Sequence, residues 1–166
     1  MLKLVIYPDP ILDKIAEPVV EFNEELVQLV EEMYAIMKKE KGIGLAAPQV
    51  GVSKRIFVTE IDGVKMTLIN PEIVESHGEL AIEEGCLSFP GLKVKVQRKS
   101  MITMAFQRTD GTKVKLAVGG LASICYQHEL DHLNGITFIE VLSKDTKTYI
   151  KRRLERLKNA AANKQA

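Results

Sequence analysis

The segment Gln127-His128-Glu129-Leu130-Asp131-His132 sets two imidazoles four residues apart with a carboxylate between them. On a helix, positions four apart share one face about one turn apart, so both rings can reach one cation. Glu129 would then be the proton shuttle usual in such H-E-x-x-H sites. The same pattern arises on a surface helix that happens to carry two histidines. Two of the chain's three histidines fall here, which favours ligation.

A catalytic site of this kind needs a third protein ligand and an open position for water. Cys125 shares the stripe but precedes His132 by seven residues, a rise of about 10 Å, so its short side chain falls below the metal. It reads as a pocket-lining residue, or simply as a small buried apolar one. Cys86, His77 and many carboxylates remain as candidates. Cys86 lies in Glu83-Glu84-Gly85-Cys86-Leu87-Ser88-Phe89-Pro90, between a β-prone run and Gly-Pro punctuation where backbone can approach a ligand closely. Position alone leaves it open whether Cys86 is a ligand or packing. His77, beside Gly78, reads as a solvated loop residue. The run from Gly42 to Gly51, GIGLAAPQVG, lacks the Lys-Ser/Thr pair and the spacing of a phosphate or dinucleotide loop. Its small residues around Gln49 fit a tight backbone wall with one polar probe; an ordinary helix-to-strand loop is the plainer alternative.

The elements that must position these residues follow from periodicity. Asn23 can cap a helix with Leu26, Leu29, Val30, Met33 and Met37 on one face, stopped by Gly42. β-prone segments then span 55–60, 66–70, 72–76, 92–97, 101–107 and 113–118, with Asp62-Gly63 and Asp110-Gly111 as hairpin signals. Leu92 to Val96 alternates strictly, as a half-buried strand does, with its lysines turned to water. Gly119-Gly120 opens a helix over 121–133 that carries both histidines, closed by Asn134-Gly135. A basic last helix, about 145–162, has the apolar stripe Ile150, Leu154, Leu157 and Ala161. This order predicts an α+β fold: antiparallel sheets around a central helix bearing H-E-x-x-H, plus a C-terminal helix.

A chain of 166 residues is expected to form a single domain, 1–166, with an adequate core. No apolar run is long enough to suggest a membrane span, and Pro8 and Asp9 come too early for a secretory apolar core, so a cytoplasmic protein is expected. Two cysteines are too few for a disulfide framework; in a reducing compartment they read as thiols or metal ligands, with one Cys86–Cys125 disulfide as the alternative. The net charge of +1 hides an asymmetry: residues 144–166 hold eight Lys or Arg against two acids. The tail is basic and the body acidic.

Taken together and in this order, GIGLAAPQVG at 42–51, EGCLS at 84–88 and QHELDH at 127–132 resemble the three signature motifs of peptide deformylase. The resemblance runs from Tyr7-Pro8-Asp9-Pro10 to the last helix, with no departure at a motif position. It implies removal of the formyl group from formyl-methionine of nascent polypeptides, releasing formate. Cys86, His128 and His132 would match the metal ligands, with water in the fourth place, and Glu129 the general base. Gln49 and the Leu87 N–H would match the oxyanion donors. Gly44 and Gly85 would present backbone to an extended peptide, and Ile43, Ile82, Leu121, Ile124 and Cys125 would surround its methionine side chain.

Two imidazoles and a thiolate suit zinc by ligand chemistry alone. The resemblance instead implies Fe2+, with nickel, cobalt or zinc as substitutes. It further suggests that Glu84 orients its loop, that Arg98 lies near the peptide's path, and that Asp131 holds a ligand histidine or nearby backbone. The expected partners are the formyl-Met peptide and, through the basic helix, the ribosome; equally, that helix's charges are merely solvated. A monomer is expected. The rival readings are an H-E-x-x-H endopeptidase with a downstream third ligand such as Glu140, and a non-catalytic ribosome-binding module; the second would show damaged motifs, and none is damaged here.

Overall fold

The structure, a computed structural model, describes residues 1–165. Helix α1 (Glu24–Lys39) starts where Asn23 accepts the Leu26 N–H on its side chain at 3.0 Å, and its first and last turns carry acids and lysines that complement the helix dipole. Leu26, Val30, Met33 and Met37 are buried against the sheet, as their spacing predicts. The chain then enters the short strand β1 (Gly44–Ala46) and a 3-10 turn, Ala47–Val50. This replaces the plain loop that the segment allows: all three β1 residues are buried, so no alternation marks them as a strand.

Strands β2 (Ile56–Ile61) and β3 (Val64–His77) form the expected hairpin. Asp62 and Gly63 hold φ of 51° and 78°, the left-handed pair that a two-residue turn demands. The two β-prone runs 66–70 and 72–76 prove to be one strand, with register shifts after Ile69 and Ile73 and a left-handed Asn70. Asn70 braces this irregularity: its Oδ1 accepts from Val19 N at 2.8 Å and its Nδ2 donates to Val19 O at 2.9 Å. His77 ends this strand and is exposed, rather than sitting in a loop.

Strands β4 (Leu80–Cys86) and β5 (Phe89–Arg98) make a separate two-stranded ribbon. In β5, Leu92, Val94 and Val96 face inward while Lys93 and Lys95 are exposed. Strands β6 (Met101–Gln107) and β7 (Lys113–Gly119) complete an antiparallel five-stranded sheet of order β1-β2-β3-β6-β7.

Helix α2 (Gly120–Leu133) runs between the sheet and the ribbon, and every residue from Ser123 to Glu129 is buried. Tyr126 and Leu133 pack with Phe57, Leu68 and Met104 of the sheet. Gln127 ties the helix down: its amide donates to Lys99 O (2.8 Å) and Ser123 O (2.9 Å), and its Oε1 accepts Lys99 N–H (3.0 Å). Helix α3 (Lys144–Gln165) is longer than its stripe predicts and lies on the ribbon, where Ile150, Leu154 and Leu157 join Phe89, Leu92 and Phe138. The expected α+β architecture is therefore present. No helix among the described residues is long and apolar enough to cross a membrane.

Candidate active site

Two elements deliver the ligating atoms. α2 turns His128 and His132 to one side, and β4 ends at Cys86 where the ribbon's register breaks between Gly85 and Cys86. Cys86 Sγ lies 3.3 Å from His132 Nε2, which lies 3.3 Å from His128 Nε2, and the three ligating atoms all fall within 4.8 Å of one another. A tetrahedral ion with bonds of about 2.0 Å to nitrogen and 2.3 Å to sulfur spaces its ligands about 3.3 to 3.6 Å apart. The set therefore fits a tetrahedral metal ion, and two buried ring nitrogens facing each other call for a cation between them. Both cysteines are free thiols.

Glu84 fixes the tautomer of His128. Its Oε1 accepts from His128 Nδ1 at 3.0 Å, so the proton sits on Nδ1 and the Nε2 lone pair faces the site. Arg98 holds Glu84 in turn through Nε (2.9 Å) and Nη2 (3.0 Å), and donates to Asp131 through Nη1 at 2.6 Å. Burial alone would raise the Glu84 pKa, but its bonds to His128 and Arg98 outweigh this and hold it below the ordinary value. These contacts correct three expectations. Glu84, not Asp131, orients a ligand histidine; Asp131 pairs with Arg98 instead; and Arg98 is buried in this network rather than along the cleft.

Glu129 points into the same space with only 4% of its surface exposed, and its Oε2 has no hydrogen-bond partner. Burial pushes its carboxyl up to about 7. Gly44 of β1 faces it closely: a Cβ at Gly44 would lie 2.6 Å from Glu129 Oε1 and 2.8 Å from Cys125 Sγ. Only glycine leaves that space open. Gln49 is buried and aimed by the backbone, since Ala46 N–H donates to its Oε1 at 2.9 Å. That leaves Nε2 to donate to Ser88 Oγ at 3.2 Å, with Cys86 Sγ 3.5 Å away.

Of the candidate metal ligands, Cys86 and His128 open onto a cleft of ≈ 820 Å³, room enough for a peptide segment. Ile43, Gly44, Ile82, Gly85, Leu87, Leu121, Ile124 and Cys125 all line it, together with Gln49, Cys86, His128 and Glu129. His132 sits behind this lining, almost fully buried. Cys125 lies beside Glu129, outside the ligand set, and burial raises its pKa well above the ordinary thiol value. Glu140, the third ligand an endopeptidase would need, is instead turned onto Thr137, accepting its N–H at 2.7 Å and its hydroxyl at 2.6 Å. Sequence reasoning missed Ser88, the Ala46 N–H and Arg153 of α3, which lines the cleft. Arg153's spacing from Ile150 and Leu157 was the available signal.

Comparison with known proteins agrees with this geometry. The polypeptide deformylase family model matches residues 1–148. The chain is 44% identical to a peptide deformylase of Acidobacterium capsulatum over 162 residues, 95% of each chain. Its structure resembles that of peptide deformylase from Plasmodium falciparum with a TM-score of 0.94 at 38% identity, covering 99% of both chains. It also resembles the enzyme from Legionella pneumophila with a TM-score of 0.90 at 41% identity, covering 98% of each. With a family model over most of its length and relatives this similar, the chain belongs to the polypeptide deformylase family.

Proposed function

We propose that Cys86, His128 and His132 hold the divalent ion with which this chain carries out the family's reaction, hydrolysis of the formyl group from formyl-methionine of nascent polypeptides. One observation carries the assignment: a thiol and two imidazoles converge beside a buried carboxylate whose Oε2 has no partner. Such an ion would supply Lewis-acid polarisation of the formyl carbonyl and would acidify the attacking water. Glu129 accepts the proton of the attacking water and returns it to the departing amine as formate leaves. As the carbonyl oxygen takes on negative charge, the Gln49 amide and the Leu87 N–H donate to it. The Ala46 N–H on Gln49 Oε1 keeps the amide's donor end turned inward.

The peptide enters as an added strand. β1 is paired only with β2 and β4 only with β5, so both offer a free edge, with Gly44 and Gly85 as the backbone contacts. The methionine side chain fills the apolar wall of Ile43, Ile82, Leu121, Ile124 and Cys125, whose exposed members, Ile43 and Leu121, lie at 44% and 46%.

Ferrous iron is the physiological ion in this proposal, with zinc, nickel or cobalt able to replace it in a thiolate–imidazole set. The described residues work as one catalytic domain, a cytoplasmic monomer that meets its substrates at the ribosome through α3. Anaerobic purification with elemental analysis, followed by activity with each metal, tests the ion; activity highest with zinc and indifferent to oxygen would exclude iron. Formate release from formyl-Met peptides, set against cleavage of internal peptide bonds, tests the reaction. Cys86→Ser is expected to strip the metal. Glu129→Ala is expected to keep the metal and lose nearly all turnover; wild-type turnover in it would remove the general-base role.

A further inference from the structure

We infer that Arg153 is a specificity-determining residue, its guanidinium reading a carboxylate on the peptide beyond the methionine. The inference rests on the cleft being the peptide's path. α3 is basic on nearly every side, but its cations do not share one role. Arg153 follows Ile150 by three residues and precedes Leu157 by four, which puts it on the flank of the stripe that packs on the ribbon. From there it lines the cleft together with Pro90, Gly91 and Lys93, whereas Arg152 and Arg156 are exposed and line no part of it.

Ile150 and Leu154, its neighbours on the helix, pack on the ribbon and so fix the backbone from which the exposed Arg153 reaches the cleft rim. No acidic side chain among the described residues forms an ion pair with it. The other charged side chains lining the cleft are Lys41 and Lys93 against Glu40, Glu83, Glu129 beside the histidines, and the buried Glu84, which Arg98 already neutralises. Lys93 lies on the same wall: its Cγ would be 3.7 Å from a Cβ on Gly85, where the peptide backbone is expected to pass. A chain leaving Gly85 along that wall thus meets cations, and a planar guanidinium without a partner matches a carboxylate with two parallel hydrogen bonds.

The test measures kcat/KM for formate release by the metal-loaded enzyme from formyl-Met-Ala-Ala-Ala and from its variants with Asp or Lys at each position after methionine. At low salt, Asp is expected over Lys by about threefold at one position, through KM, as suits a rim ion pair. The preference should shrink as salt rises. It should vanish in Arg153→Gln, reverse in Arg153→Glu and persist in Arg152→Gln, each preference being taken relative to the uncharged peptide turned over by the same protein. Equal values for Asp and Lys peptides in the wild type, or a preference that survives Arg153→Gln, would overturn the proposal. The uncharged peptide separates the two levels: formate from it without any charge preference defeats only the role of Arg153, and no formate from any peptide defeats the active-site assignment as well.

Discussion

Glu84 accepts from Arg98 on both oxygens and from His128 on Oε1, and this bracing prepares His128 for the ligand role proposed for it. A lone buried imidazole would be free to tautomerise; with Glu84 Oε1 on Nδ1, only Nε2 is left to face the site. Gln49 is prepared by similar means, its Oε1 engaged by Ala46 and its Nε2 turned inward. In the proposed mechanism this orientation means that the donor costs no reorganisation as charge develops on the formyl oxygen. Gln49→Leu keeps the volume and removes the donor. It is expected to lower kcat by roughly a hundredfold, about 3 kcal/mol, with metal content intact. Elemental analysis beside steady-state kinetics checks both halves, and an unchanged kcat would strike Gln49 from the mechanism. The ligand pair and Glu129 could be read from the sequence because helical spacing ties them together. The Glu84–Arg98–Asp131 network could not, since its members stand 14 and 33 residues apart and each is an ordinary surface residue type until the fold buries it.

Helix α2 is the element on which the site depends, and its C-terminal end is tightly constrained. Arg55 clamps it through Leu133 O and Asn134 Oδ1, both at 2.9 Å, and Gly135 turns the chain away with φ of 71°. A Cβ at Gly135 would meet Asp13 O at 2.7 Å and the carbonyl carbons of Asp13 and Lys14 at 2.9 Å, all backbone atoms. Gly135→Ala thus combines left-handed strain with a contact that no side-chain rotation relieves. It is expected to cost about 2 to 3 kcal/mol in denaturant unfolding, with an unchanged m-value. A midpoint equal to wild type would mean that the 13–14 segment moves aside freely. Asn134-Gly135, Asp62-Gly63 and the Leu92–Val96 alternation were visible in the sequence because each is a local rule of backbone geometry. β4 was not: Leu80–Cys86 puts two glutamates side by side, and Glu84 is buried by virtue of Arg98 and His128, partners that no local pattern contains. β3 was read as two strands because its break at Asn70 resembles a turn, and only pairing with β6 carries the strand through it.

The charge asymmetry of the whole molecule is what the proposed ribosome contact of α3 rests on, beside its packing on the ribbon. The family match ends at residue 148, so most of α3 lies outside it, yet this helix covers Phe89, Leu92 and Phe138, and Phe138 in turn approaches the His128 ring at 5.8 Å. Deleting α3 would uncover that apolar cluster and confuse loss of binding with loss of fold, so the proposed ribosome contact is better tested by charge alone. Lys151, Arg152 and Arg156 are exposed, outside both the packed stripe and the cleft, and free to meet phosphates. If they bind rRNA, co-sedimentation with ribosomes must weaken as salt rises, because each phosphate contact releases counterions. Replacing all three with Gln is expected to weaken binding and flatten the plot of log affinity against log salt by about 2 to 3 units, one for each lost contact. Formate release from short peptides should stay unchanged, since none of the three lines the cleft. Binding that ignores salt, or a triple variant that sediments like wild type, would assign these charges to solvation and leave α3 only the ribbon to hold.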